Sequence, residues 1–330
     1  MKRVLIKLGN KCNHSCSYCH ASKNKEFGFN RDILAFLKNM ELGKVGFGGG
    51  EPLMYFDKIK EIVEYLDNIS IFYKFTTNGS LLTEDIVRFL NVHGFAVGIS
   101  YDGTDTGREY PDDSKIELYA AIKKKGISSV FFKRNSPLIE LAQEFYDFTH
   151  KTSILNTAYY PAFIHQTAIN PNMELVDTDT IHKYIEHMNF VNELQIKRFL
   201  YNPDAASRSI MMRIGERYNK NLYKKGFECC NENNMMMTAS GDFMLCPYGS
   251  TKVGDIYKGI DWDLVESFKP QRCRECELFE MCGNTCISNI TENECYIYRK
   301  TYEHFLKICD KYGIVPQELK QQIKAAYIEK

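Results

Sequence analysis

Val4-Leu5-Ile6-Lys7-Leu8-Gly9-Asn10-Lys11-Cys12-Asn13-His14-Ser15-Cys16-Ser17-Tyr18-Cys19 joins a β-rich run to three cysteines spaced C-x3-C-x2-C. Three thiolates on one short loop can each bind a different iron of a cubane, which leaves the fourth iron open to an outside ligand. A zinc site completed by His14 or His20 is the alternative reading of the same spacing.

Downstream, polar or glycine-rich elements recur at the ends of β-rich runs. Gly48-Gly49-Gly50-Glu51-Pro52 follows Lys44–Phe47, Thr77-Asn78-Gly79 follows Ser70–Thr76, and Ser100-Tyr101-Asp102-Gly103 closes Phe95–Ser100. Asn-Gly and Asp-Gly are ordinary turn pairs when met singly. With the cysteine segment after the first run, four such elements at the ends of four successive strands point to the C-terminal edge of a parallel sheet, where barrel enzymes assemble their sites. Further strands are predicted at Val4–Leu8, Ser128–Phe132 and Ile154–Tyr159. Helical spacing of apolar residues marks Arg31–Met40, Phe56–Asp67, Glu84–Asn91, Ser114–Lys125 and Pro137–Thr149. Strand–helix alternation of this kind implies right-handed parallel crossovers. Six units make a partial (β/α)6 TIM-like barrel.

Beyond the barrel, Thr178–Leu194 and Ala205–Lys225 read as helices, with Gly226 as a C-terminal cap, and Tyr298–Tyr312 reads as a closing amphipathic helix. Between them the chain is rich in Cys, Asn, Gly and Met, with short turns and little periodicity, the composition of a small domain that needs metal to hold it. The expected organisation is 1–165 barrel, 166–226 helical bridge, 227–296 cysteine-rich domain and 297–330 C-terminal helix.

Of the 330 residues, 44% are apolar and 25% charged, and Lys+Arg and Asp+Glu each number 42. No long basic run is present, which argues against nucleic acid as a partner. No apolar stretch approaches the roughly 20 residues that span a bilayer, and Lys7 interrupts the N-terminal apolar run before it can serve as a signal-peptide core. The chain is read as cytoplasmic, where its 12 cysteines are not expected to form structural disulfides. Three lie at 12, 16 and 19, none between 20 and 228, and nine between 229 and 309. Scattered core residues would not cluster so; metal ligands would.

With the cysteine motif, GGEP and the strand-end elements together, residues 3 to 160 resemble the radical S-adenosylmethionine (SAM) superfamily. The resemblance implies that Cys12, Cys16 and Cys19 hold a [4Fe–4S] cluster whose open iron is chelated by SAM. It assigns Tyr18 to the adenine, and Gly49, Gly50 and Glu51 to the cofactor's amino group. Asn78 and Ser100 are assigned to its ribose or carboxylate, with Asp102 and Arg108 supporting the pocket; Asp102 also reads as a plain turn residue. In such enzymes a low-potential cluster, on the order of −400 mV or below, donates one electron to the sulfonium and yields a 5′-deoxyadenosyl radical.

Cys230, Gly241 and Cys246 form C-x10-G-x4-C, and Cys273, Cys276, Cys282 and Cys286 form C-x2-C-x5-C-x3-C, followed by Cys295. This order resembles the SPASM domain, which houses two auxiliary [4Fe–4S] clusters and so brings the expected total to three. The resemblance places Cys230, Cys246 and Cys286 on the first, with Cys229 a candidate fourth ligand. Cys273, Cys276, Cys282 and Cys295 fall to the second. Adjacent side chains point apart in extended backbone, which disfavours Cys229 and Cys230 on one cluster. A zinc module is the alternative for this region. Cys309 sits in a helical pattern and is expected in the core.

SPASM proteins mostly modify ribosomally made peptides, by thioether or carbon–carbon crosslinks, epimerisation or formylglycine formation. Two departures bear on substrate. The first strand begins near residue 3, which leaves no leader-binding segment before it, so leader recognition is expected from a separate protein or from the body of this one. Pro247 follows Cys246 where the sulfatase-maturating branch has Asp, which lowers the formylglycine reading. The resemblance also implies an electron donor such as flavodoxin or ferredoxin. Tyr159, Tyr160 and His165 are candidates for a peptide groove, with core packing the alternative. A small-molecule dehydrogenase or rearrangement enzyme, and a non-catalytic iron–sulfur or zinc scaffold, are the competing functions. No catalytic base is named.

Overall fold

The computed structural model describes residues 2–16, 19, 26–67, 70–102, 108, 112–128, 178–201, 211, 230–246, 250–278 and 292–315. Parallel strands alternate with helices from the N-terminus: β1 (Lys2–Lys7), α1 (Asp32–Lys38), β2 (Leu42–Gly48), α2 (Phe56–Tyr65), β3 (Phe72–Thr77), α3 (Glu84–Val92), β4 (Ala96–Ser100), α4 (Asp113–Ala120) and β5 (Lys124–Ser128). A 3-10 turn, Pro52–Tyr55, leads into α2.

On β1 to β4 the alternate residues Val4, Ile6, Val45, Phe47, Val97 and Ile99 are buried. Helix residues such as Ile33, Leu37, Ile62 and Leu90 are buried with them, as expected where helices cover a sheet face. Tyr73, Phe95 and Phe47 stack in this layer, with ring centres 5.1 to 6.4 Å apart. The helix starts follow local chemistry: Thr83 accepts from Ile86 N–H at α3, and Asp112 accepts from Lys115 N–H at α4.

The expected fifth unit is displaced. α4 stops at Ala120 and β5 begins at Lys124, where a longer helix to 125 and a strand at 128–132 were predicted. Asn91 of α3 explains the early stop, because its amide donates to Ala121 O at 3.0 Å and its side-chain oxygen accepts Lys123 N–H at 2.8 Å. The Lys124-Lys125 pair, which looks helical in isolation, thereby enters the sheet. The predicted elements at Ile154–Tyr159, Pro137–Thr149 and, apart from Met211, Ala205–Lys225 lie outside the described residues.

β6 (Asn234–Thr238) pairs in parallel with the free side of β1, and β7 (Asp242–Met244), β8 (Lys252–Asp255) and β9 (Gly259–Ile260) continue antiparallel. The full order is β5-β4-β3-β2-β1-β6-β7-β8-β9. Sequence reading did not find β6. Met235, Met236 and Met237 are all buried, so both faces are covered and no period-two pattern survives.

Two compact units result. One comprises Met1–Met173 with Lys225–Phe268; the other comprises Glu174–Lys224 with Lys269–Lys330. The second unit pairs α5 (Thr178–Tyr201) with α8 (Glu292–Lys311), each longer than its periodicity predicts, around Ile196, Phe199, Tyr298, Phe305 and Ile308. Two short helices, α6 (Trp262–Ser267) in the first unit and α7 (Gln271–Arg274) in the second, lie between them in sequence. No helix among the described residues is long and apolar enough to cross a membrane.

Candidate active site

The site begins where β1 and β2 end side by side. Leu8 N–H donates to Gly48 O at 2.9 Å, Gly50 N–H to Gly9 O at 3.0 Å and Glu51 N–H to Lys11 O at 2.8 Å. The two loops are therefore laced together by backbone alone. Gly49 has φ 144°, and a Cβ there would lie 2.1 Å from Gly9 O; one on Gly50 would lie 2.1 Å from Lys11 O. Only glycine permits this approach, which brings the Gly-Gly-Glu turn against the residues that lead into Cys12.

Glu51 is 2% exposed and tethers a third strand end. Its carboxylate accepts Thr77 Oγ1–H at 2.7 Å, Asn78 N–H at 2.8 Å and Leu53 N–H at 3.0 Å. Burial pushes its pKa up, while those three donors and the nearby Arg108 guanidinium pull it back. The side chain of Asn78 reaches onward. Its amide donates to Asn13 Oδ1 at 2.9 Å, and its oxygen accepts from Ser80 Oγ at 2.7 Å, while Asn13 donates to Ser80 Oγ at 2.8 Å. Asn13 lies between Cys12 and Cys16, so the third strand end holds the cysteine loop through side chains. Sequence reading picked Glu51 and Asn78 but missed Asn13, whose position inside the cysteine motif was the available signal.

Cys12 is half-buried and its sulfur accepts His14 N–H at 3.4 Å; Cys16 is buried, and Cys19 N–H donates to Cys16 O at 3.1 Å. Burial raises the pKa of Cys12, His14 N–H opposes it, and Glu51, Cys19 and Cys16 push it further up. Burial likewise raises Cys16; Arg108 opposes it, and Cys19 and Asp102 add to it. Burial chiefly disfavours ionisation of Cys12 and Cys16, and a bound cation cluster would reverse that by taking them as thiolates. Among the described residues no three His, Cys, Asp or Glu side chains converge as they would on a single metal ion. The thiolates of a cubane sit on separate irons and need no such convergence. Asn10, two residues before Cys12, adds a buried side-chain oxygen with no hydrogen-bond partner among the described residues. A buried polar atom ordinarily has a partner from the protein, a water or a bound group. The donor set and the glycine-lined turn therefore fit a cluster with a small polar ligand beside it.

Arg108 and Asp102 form a buried ion pair, Nε to Oδ2 2.6 Å, with the carboxylate fully enclosed. Ser100 ends β4 half-buried, in register with Ser128 of β5. Tyr18 lies outside the described residues.

Of the C-terminal cysteines, Cys230 and Cys246 are buried in the first unit. The Cys230 thiol is pushed up to about 11, by burial first and by Cys246 second. In the second unit Cys273 and Cys276 sit on one turn, with Cys276 N–H donating to Cys273 O at 3.2 Å, and Cys295 is exposed on α8. Cys229, Cys282 and Cys286 lie outside the described residues. Cys309 is buried beside Phe305 and Ile308, in the core as its helical pattern predicts.

Residues 6–140 match the model of the Radical SAM superfamily. The uncharacterized protein MJ0907 of Methanocaldococcus jannaschii is 36% identical over 161 residues, 42% of this chain and 56% of that protein. The radical SAM cyclopropyl synthase TigE of Paramaledivibacter caminithermalis is 27% identical over 150 residues, 37% of this chain and 32% of that protein. The chain thus spans about half of the first relative and a third of the second. Among solved structures, anSMEcpe with bound AdoMet and Cp18Cys peptide has a TM-score of 0.65 at 18% identity, covering 93% of this chain and 98% of that one. Streptococcus suis SuiB bound to precursor peptide SuiA has a TM-score of 0.61 at 18% identity, covering 87% and 72%. Both likenesses are of fold.

Proposed function

We propose, from the premise that this chain belongs to the radical SAM superfamily through residues 6–140, that it cleaves SAM reductively and uses the resulting radical to modify a ribosomally made peptide. The modification is a thioether or carbon–carbon crosslink or an epimerisation. The observation that carries the reading is the lacing of Gly49-Gly50-Glu51 onto the residues that precede Cys12, with Glu51 tied in turn to Asn78.

When bound, a cluster on Cys12, Cys16 and Cys19 supplies the electron that splits the sulfonium carbon–sulfur bond. The chain's own residues do the positioning. Backbone carbonyls and the Glu51 carboxylate at the Gly-Gly-Glu turn receive the ammonium of the amino-acid part. Asn78 and Ser100 contact the ribose or carboxylate, Tyr18 contacts the adenine, and the Asp102–Arg108 pair supports that pocket.

Two further [4Fe–4S] clusters complete the cofactor set in this reading. Cys230, Cys246 and Cys286 hold one, whose fourth position falls to Cys229 or to a thiolate or amide of the substrate, and Cys273, Cys276, Cys282 and Cys295 hold the other, in an auxiliary domain over 227–296. The peptide substrate is supported by neighbours of the same fold solved with peptides, SuiB with SuiA and anSMEcpe with Cp18Cys. A flavodoxin or ferredoxin supplies electrons, a separate protein presents the leader, and the enzyme works in the cytoplasm. Anaerobically reconstituted protein given reductant and SAM should release 5′-deoxyadenosine; a fully iron-loaded preparation that releases none would overturn the reading.

A further inference from the structure

Two side chains one helical turn apart, Tyr55 and Lys58, each touch the chain on both sides of the cysteine loop. The Tyr55 hydroxyl accepts Lys11 N–H at 2.8 Å and donates to Glu26 Oε1 at 2.9 Å. The Lys58 ammonium donates to Leu8 O at 3.3 Å and to Phe27 O at 3.2 Å. Residues 8–11 lead into the loop that carries Cys12, Cys16 and Cys19; residues 26 and 27 lead out of it. Weaker contacts run in the same sense. Lys58 Nζ lies 4.9 Å from the centre of the Tyr55 ring, and Lys11 Nζ lies 3.6 Å from Glu26 Oε1. Gly9 has no side chain where Tyr55 passes, since a Cβ there would fall 2.2 Å from the hydroxyl.

We infer that Tyr55 and Lys58 are positioning residues that buckle the two ends of the cysteine loop together, holding its three thiols in place independently of any bound cluster. The inference rests on the reading of Cys12, Cys16 and Cys19 as ligands of one cluster. The physical need is plain. Ordering a loop by its ligands alone means closing its ends at each binding event, at an entropic cost that grows with loop length. Four hydrogen bonds from the 3-10 turn and the start of α2 meet that cost in the fold itself. The donors are dependable. The phenol is pushed up to about 12, mainly by burial, so it keeps its proton over the working range. Burial lowers the pKa of the Lys58 ammonium and Glu26 opposes that, while the carbonyls that accept from it do not titrate. The 3-10 turn that carries Tyr55 is capped by Glu51, so the segment that fastens the loop also carries the carboxylate facing Asn78.

The test compares anaerobically prepared holoprotein as wild type, Tyr55→Phe, Lys58→Met and Lys58→Arg. An iron chelator is added, and the SAM-dependent part of the reduced cluster's electron paramagnetic resonance signal is followed with time. Losing the two hydrogen bonds that each side chain makes should speed decay of that signal by roughly fivefold or more in Tyr55→Phe and Lys58→Met. The rest of the iron should leave at the wild-type rate, and Lys58→Arg should recover most of the difference. In metal-free protein, amide exchange should quicken in residues 9–16 and stay unchanged in β3. Decay at the wild-type rate in both variants would overturn the inference, as would equal acceleration of all iron loss, or Lys58→Arg behaving as Lys58→Met. A wild-type signal that never responds to SAM would instead overturn the cluster reading on which the inference rests.

Discussion

Glu51 Oε2 and the backbone N–H of Asn78 lie 2.8 Å apart, so two neighbouring strand ends are joined through one buried carboxylate rather than through the sheet. The same carboxylate caps the 3-10 turn through Leu53 N–H. Replacing Glu51 by Gln turns one acceptor into a donor that faces another donor. The expected loss is about 1–3 kcal/mol in chemical denaturation, together with loss of SAM binding by titration calorimetry. Unchanged denaturation would mean that the three donors find partners elsewhere.

Gly50 and Gly28 form a matched pair of tests. An alanine Cβ at Gly50 would meet Lys11 O at 2.1 Å and Asn10 O at 2.5 Å, both backbone, whereas nothing lies within 4 Å of one at Gly28. Gly50→Ala should destabilise the protein by about 1–3 kcal/mol, as for other overpacked sites, and lower the iron bound after reconstitution. Gly28→Ala should stay within about 0.5 kcal/mol of wild type. Equal effects of the two would show that the turn yields.

Arg108 and Asp102 supply a third case. Arg108→Met removes the partner of a fully buried carboxylate and should destabilise by about 3–5 kcal/mol. Adding Asp102→Leu should restore most of that, because an apolar pair of similar volume avoids the unpaired charge. A double-mutant cycle from urea titrations measures the coupling, and independent, additive effects would contradict the pairing.

In the helical unit, Glu193 predicts an acid limb. Its carboxylate accepts Lys311 Nζ at 2.9 Å and Tyr312 Oη–H at 3.1 Å, with Lys197 Nζ at 3.3 Å, and these donors hold its pKa at about 2 against an ordinary 4.5. A group whose pKa falls on folding stabilises the fold above its unfolded value and loses that contribution as pH drops towards the folded one. Stability should therefore decline between about pH 4.5 and 2 more steeply in wild type than in Glu193→Gln, as read by thermal melts across that range. Identical pH profiles would remove Glu193 from the acid response.

Much of the barrel and its edge was legible because apolar alternation and the turn chemistry that ends each strand are local properties. The elements that carry Gly49, Gly50, Glu51 and Asn78 stood out at strand ends and the family resemblance singled out the residues; the structure brings their loops together around Cys12. Tyr55 and Lys58 were invisible, since their roles exist only through contacts with residues 8, 11, 26 and 27, far away in sequence. β5 was misplaced because Asn91, on another helix, decides where α4 ends. β6 was missed because a strand covered on both faces carries no alternation, and three methionines in a row look like neither a strand nor a helix.

The late arrival of β6 bears on synthesis. β1 leaves the ribosome before β2 and finds it soon afterwards, but among the described residues its other edge is paired by residues 234–238. Until those emerge, a strand carrying Val4 and Ile6 presents unpaired backbone groups along one side, the kind of edge that recruits other chains. The flanking Lys2, Arg3 and Lys7 supply charge there, as guarded edges commonly do. Nascent chains halted before residue 234 should accordingly depend on chaperones more heavily than chains halted just past 246.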